Sequence, residues 1–191
     1  MSNPCFTPIE RYKNDLERED FSYDEAQEHA VKQLQRLYDD LLKWQENKQR
    51  SLLKRLFSKP PTPPKGLYFW GGVGRGKTYL VDTFYETLPI KNKWRLHFHR
   101  FMQRVHSELK QLQQKSDPLI TVADRIAAET DVICFDEFFV QDITDAMLLG
   151  KLFEYLFERQ VVLVATSNIV PDDLYKNGLQ RARFIPAIKL I

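Results

Sequence analysis

The sequence predicts an α/β fold: a doubly wound core around a parallel sheet, preceded by an N-terminal helical arm. Three observations predict it. Short continuous apolar runs recur at GLYFW (66–70), VICF (132–135) and VVLVA (161–165), the pattern of strands buried on both faces of a parallel sheet. Helical patterns separate these runs, and strand–helix alternation with right-handed crossovers places helices on both faces. A glycine-rich segment, GGVGRGKT (71–78), joins the first strand to a helix, and ligands of such folds bind at the carboxyl ends of the strands.

The arm comes first in the chain. In SYDEAQEHAVKQLQRLYDDLLKW, Ala26, Ala30, Leu34, Leu37, Leu41 and Trp44 step by 4, 4, 3, 4 and 3. That spacing puts them on one face of an amphipathic helix, expected over about 23–47. Ser22 and Glu25 are spaced for a capping box at its start. KRLFSKPPTPPK (54–65) follows, with four prolines in five positions, which excludes helix and central strand. No acidic residue occurs between Glu46 and Asp82, whereas eight basic ones do. A solvated linker is the ordinary reading of such a stretch, and attraction to an acidic partner is the other. The expected division is therefore an arm and basic linker over 1–64 and a core over 65–191.

Within the core, TYLVDTFYETL after the glycine-rich segment reads as a helix stopped by Pro89. RLHFHRF (95–101) alternates apolar and polar residues, as a half-exposed edge strand does. Phe101, Val105, Leu109 and Leu112 then share one helix face, and ITDAMLLGKLFEYLF is apolar over most of its circumference. IPAIKLI closes the sequence as a helix with Pro186 in its first turn.

Composition narrows the class. Of 191 residues, 43% are hydrophobic and 28% charged, which is globular, and a net charge of +2 gives no strong nucleic-acid signal. No apolar run approaches the ~20 residues of a membrane span. MSNPCFTPIERY lacks the basic and apolar regions of a secretory signal. Cys5 and Cys134 follow no metal spacing, so both read as reduced thiols of a cytoplasmic protein.

GGVGRGKT fits the phosphate-loop pattern GxxxxGK(S/T). Gly71, Gly72, Gly74 and Gly76 let the backbone curl, so that amides of the loop, those of Val73 and Arg75 included, point at phosphate oxygens. Lys77 would reach the β- and γ-phosphates, and Thr78 would offer a hydroxyl to Mg²⁺. The ordinary alternative, a tight turn with a surface lysine, does not need the strand before it or the helix after it.

VICFDE ends an apolar strand in two carboxylates, 59 residues beyond Lys77. Asp136 is placed to hold Mg²⁺, and Glu137 to orient and deprotonate a water. A helix-capping acidic loop is the alternative. VVLVATSN ends a third strand in Asn168, whose amide can bond both that water and a γ-phosphate oxygen. Thr166 and Ser167 read as turn formers. His97 and His99 alternate on one strand face with His106 a helical turn or so later, a set short of a third well-placed metal ligand.

Loop, acid pair and asparagine together resemble an AAA+ ATPase. The longer stretches GLYFWGGVGRGKT, RLHFHRFM, VICFDEFFVQDITDAM and LVATSNIVPDDLYKNGLQRARF resemble the ZapE family of cell-division-associated ATPases, relatives of mitochondrial AFG-type ATPases. The likeness runs over about 7–191. It implies ATP hydrolysis with Mg²⁺, homo-oligomeric rings, and a protein target, the division tubulin FtsZ. It also implies that an arginine from one subunit reaches the γ-phosphate held by its neighbour. Arg181 and Arg183 lie 13 and 15 residues past Asn168, in the stretch where such a finger falls. The resemblance further implies a fifth strand and a helical lid, which this sequence is expected to lack. Gln27 is a candidate to touch the adenine. Two other classes stay open at this point: an ATP-binding module that does not hydrolyse, and a nucleic-acid remodeller or helicase loader. A small-molecule kinase would not need the acid pair, the asparagine and the arginines.

Overall fold

The computed structural model describes residues 6–53 and 61–191, apart from the side chains of 50–53. Cys5 and most of the predicted linker lie outside the described residues. Four strands form one parallel sheet: β1 (Leu67–Trp70), β2 (Lys93–His97), β3 (Val132–Asp136) and β4 (Val162–Ser167). Their order is β1-β4-β3-β2. Around it stand α1 (Pro8–Asp15), α2 (Glu25–Leu53), α3 (Lys77–Thr87), α4 (Phe98–Gln111), α5 (Pro118–Glu129), α6 (Ile143–Glu158) and α7 (Ile185–Leu190).

Strand alternation divides the core in two. Val132 and Cys134 of β3, with Val162 and Val164 of β4, pack against Tyr12 of α1, the buried stripe of α2, and Leu80, Val81 and Phe84 of α3. Ile133, Phe135, Leu163 and Ala165 face the other way, onto α4, α5, α6 and α7. The result is three layers, with β3 and β4 buried on both sides.

The buried stripe of α2 is Ala30, Val31, Leu34, Leu37, Tyr38, Leu41 and Trp44. Each large side chain here contributes roughly 1.5–3 kcal/mol by leaving water. Ala26 is exposed, one turn before the stripe begins. The cap also differs from the expected one. Asp24 Oδ1 accepts from the Gln27 amide at 3.0 Å, so Asp24 rather than Ser22 satisfies the helix start. A capping box does occur on α1: Thr7 Oγ1 accepts from the Glu10 amide while Glu10 Oε2 accepts from the Thr7 amide. Within the linker the chain is tied down at Pro61, whose carbonyl accepts from both Trp44 Nε1 and Gln160 Nε2 at 3.1 Å.

Three further strand expectations shift. β2 runs 93–97 rather than 95–101. It is the half-buried edge strand expected, but Phe98 already begins α4 and enters the core, so the apparent alternation of 98–101 belongs to a helix. His99 is therefore helical, beside Gln103, and does not share a strand face with His97. β1 is also an edge, paired only with β4 among the described residues, so it is half-buried and Trp70 is 60% exposed. Thr166 and Ser167 are the buried last residues of β4 and not part of a turn.

Two consequences are measurable. A Cβ at Gly66 would stand 1.8 Å from the carbonyl oxygen of Leu163, so Gly66→Ala must push β1 from β4. Urea unfolding is expected to show a loss of at least about 2 kcal/mol. Cys134 is buried in the centre of the sheet, and burial raises its thiol from 9.0 to about 12. The unfolded thiol ionises first, so this group's contribution to stability is intact below pH 9 and is lost as pH rises from there toward 12. Peptide mapping after alkylation at pH 8 is expected to find Cys134 unmodified unless denaturant is present.

Candidate active site

The sheet ends its strands together. β1 delivers the chain into residues 71–76, whose first amide, that of Gly71, donates to the Ser167 carbonyl at 3.3 Å. Gly74 and Gly76 have φ of +83° and +70°, conformations costly for any residue with a Cβ. A Cβ at Gly76 would also stand 2.3 Å from Gln27 Nε2. α3 then starts at Lys77, so its N-terminal amides face the loop. The Lys77 ammonium turns back on the loop, donating to the carbonyls of Gly71 at 2.7 Å and Gly72 at 2.6 Å. Burial lowers its pKa below the usual lysine range. Thr78 is exposed on the first turn and Val73 is 89% exposed at the loop tip.

A cavity of about 420 Å³ opens over the loop. It is lined by Val73, Gly74, Arg75, Gly76, Lys77, Thr78, Asp136, Glu137, Thr166, Ser167 and Asn168. The five side chains expected from sequence spacing at phosphate, metal and water, Lys77, Thr78, Asp136, Glu137 and Asn168, thus line one cavity. Gly71 and Gly72 border a neighbouring cavity of about 690 Å³, between the start of α2 and β1, which also touches Arg75 and Lys77.

Asp136 is 4% exposed. Its Oδ2 accepts from Arg95 Nη2 at 2.7 Å, and its Oδ1 lies 3.3 Å from the Thr166 hydroxyl. Glu137 stands differently, with its side chain 81% exposed and φ at +52°. A non-glycine residue in that region costs of order 1 kcal/mol and persists where its neighbours impose it. They do so here. The Phe138 amide donates to the Thr166 carbonyl at 2.7 Å and the Ser167 hydroxyl donates to the Phe138 carbonyl at 2.7 Å. The Phe138 ring is fully buried against Phe98, Phe153 and Tyr68. The chain therefore reverses at Glu137 and aims its carboxylate outward, with His97 Nδ1 3.9 Å away.

The structure adds groups that sequence spacing did not reveal. Arg95 of β2 sits between Asp136 and Asp82 of α3, with Nε 2.5 Å from Asp82 Oδ1, a close ionic contact without hydrogen-bond alignment. Burial raises the Asp82 carboxyl, against the pull of Arg95. The available signal was the alternation of Arg95 with His97 on β2. Gln27 of α2, already a candidate for the adenine from the sequence, donates from Nε2 to the Arg75 carbonyl at 3.3 Å, while its Oε1 is buried with no hydrogen-bond partner among the described residues.

The arginines do not join the site within this chain. Arg181 and Arg183 form a short 3₁₀ turn between Gln180 and α7. Arg181 donates to the Asp172 carbonyl, Arg183 is exposed, and neither lines the cavity.

The family model described as AFG1-like ATPase matches residues 6–191. The chain is 55% identical, over 194 aligned residues, to the cell division protein ZapE of Escherichia coli strain K12, covering 97% of this chain and 52% of that protein. It spans about half the length of the curated relatives it first matches. Among solved structures, one described as a DNA replication initiation factor aligns with a TM-score of 0.58 at 15% identity, over 88% of this chain and 46% of that one. DnaI aligns at 0.54 and 16%, over 90% and 84%. Identities this low carry the fold alone.

Among the described residues the exposed carboxylate of Glu137 has His97 as its one ion-pair contact. Glu137→Gln is therefore expected to leave the thermal midpoint within about 2 °C of the unsubstituted chain, as surface changes do; scanning calorimetry checks it.

Proposed function

The chain belongs to the AFG1-like ATPase family, and we propose that it binds ATP with Mg²⁺ and hydrolyses it to do work on a protein target. The observation that carries this reading is the convergence of Lys77, Thr78, Asp136, Glu137 and Asn168 on one cavity beyond the strand ends. In it, the loop amides and the start of α3 cradle the phosphates. Lys77 exchanges its two carbonyl partners for phosphate oxygens. Thr78 and Asp136 would hold Mg²⁺, an all-oxygen pair suited to a hard cation, and bound Mg²⁺ neutralises charge at the β- and γ-phosphates.

Glu137 is the general base. Its exposed carboxylate projects into the cavity from the chain reversal, where it can take a proton from water. Asn168 orients that water and the γ-phosphate. The adenine lies in the second cavity, where the orphaned Gln27 Oε1 accepts from its exocyclic amine. Arg181 or Arg183 serves a neighbouring subunit's site across a ring, since neither reaches the cavity of its own chain. A finger of this kind is worth about 10³–10⁵ in rate.

The target we propose is the division tubulin FtsZ, in the cytoplasm, on the likeness to the cell division protein ZapE. No helix among the described residues is long and apolar enough to cross a membrane. The helicase-loader alternative gains nothing from the likeness to the DnaC helicase loader, which at 17% identity is one of architecture.

Titration with a fluorescent ATP analogue, with and without Mg²⁺, while light scattering follows assembly, tests the reading. Lys77→Ala is expected to abolish binding. Glu137→Gln is expected to keep binding and to lose about 10²–10⁴ in phosphate release. Equal, negligible release from both forms would make the chain a binding module. Arg181→Ala or Arg183→Ala is expected to spare binding and remove turnover by assembled protein; if both leave it untouched, the finger lies elsewhere.

A further inference from the structure

We propose that Arg95 is a positioning residue: it holds α3, at Asp82, against the end of β3 and thereby sets the spacing between Thr78 and Asp136. The inference rests on the nucleotide reading above, because those two residues are the oxygens assigned there to Mg²⁺.

The geometry is that of a strut. Arg95 lies opposite Cys134 in the β2–β3 register, two residues before the His97–Asp136 pair. From there its guanidinium reaches two different elements: Asp136 of β3 at 2.7 Å and Asp82 of α3 at 2.5 Å. Asp82 lies four residues beyond Thr78 in α3, one turn on along the same helix face. The tie between Arg95 and Asp82 therefore fixes how far Thr78 stands from Asp136.

Charge makes the strut necessary. Asp82 and Asp136 face one cation, and Arg95 is the ion-pair partner of each among the described residues. The side chains of Asp136 and Arg95 are 5% and 23% exposed and that of Asp82 is 42% exposed, so water screens the Asp136 end weakly and the Asp82 end more. Without the guanidinium the two carboxylates repel across the gap between α3 and β3, and that gap is the one a metal must bridge.

The readout is the Mg²⁺ concentration that gives half of the Mg²⁺-dependent gain in affinity for a fluorescent ATP analogue. Affinity in EDTA is the internal reference. Arg95→Gln is expected to raise the Mg²⁺ midpoint about tenfold or more, as loss of a residue that orients a metal ligand does. Its metal-free affinity is expected to change far less, within about twofold of the unsubstituted chain, because the loop and Lys77 keep hydrogen bonds of their own that do not involve Arg95. Arg95→Lys keeps a cation between the acids and is expected within about threefold of normal. Asp82→Asn cuts the tie to α3 and is expected to raise the midpoint about threefold. Adding Asp82→Asn to Arg95→Gln removes the repulsion and brings the midpoint back to the Asp82→Asn value.

A midpoint that is unchanged or lower in Arg95→Gln overturns the proposal while the nucleotide reading stands. If Arg95→Gln does not fold, an unmoved midpoint in Asp82→Asn overturns it equally. Absence of any analogue binding by the unsubstituted chain refutes the nucleotide reading and this proposal with it.

Discussion

β3 and β4 pair in parallel from Val132–Val162 to Phe135–Ala165, and no residue of either strand is exposed. Apolar side chains above and below hold the pair in one register, because a slip by one residue would turn each face inside out. Everything charged in the cavity is placed by that pairing. Asp136 comes to rest beside Thr166, the Phe138 amide meets the Thr166 carbonyl, and Asn168 emerges where the strand leaves the sheet. A buried carboxylate is tolerated there because it is paired on one oxygen and hydrogen-bonded on the other.

The two acids of one dipeptide are thus given opposite surroundings. Asp136 closes a strand, under a hydroxyl and a guanidinium, whereas Glu137 opens a reversal in which its backbone is strained and its side chain is free. The strain is held by Phe138, whose buried ring joins both the α4 and α6 layers. Apolar packing on the far side of the sheet therefore aims the carboxylate on the near side. The roles proposed for them, metal holder and base, need this separation, since one must stay fixed while the other must meet water.

The N-terminal helices belong to the same construction. α1 and α2 bury their faces with α3 on one side of the sheet, and Tyr79, the residue after Thr78, donates to Asp15 of α1 at 2.8 Å. Gln27 of α2 and Asp24, which caps that helix, touch the glycine-rich loop through the Arg75 carbonyl and side chain. The loop is braced from the arm as well as from the sheet, so its shape is not a property of its glycines alone.

Residues adjacent in the chain were legible without coordinates. The phosphate loop, the acid pair, the asparagine and the cores of all four strands follow from local pattern. Backbone dihedrals and strand burial leave their mark on contiguous residues. The capping box on α1, the helix α5 and the entry of Phe98 into a helix escaped that reading. Short or interrupted patterns there fit more than one local structure, and packing against the sheet chose between them. The polar ends of β4 illustrate the same limit: Thr166 and Ser167 look like turn residues until their hydroxyls are seen to serve Asp136 and Phe138. What the sequence determined by itself was the identity and spacing of groups able to grip a phosphate. Only the tertiary structure decided which distant groups complete them. Arg95, Asp82 and Gln27 come from three separate elements, and their partners are set by strand register and helix docking, which depend on the whole core at once.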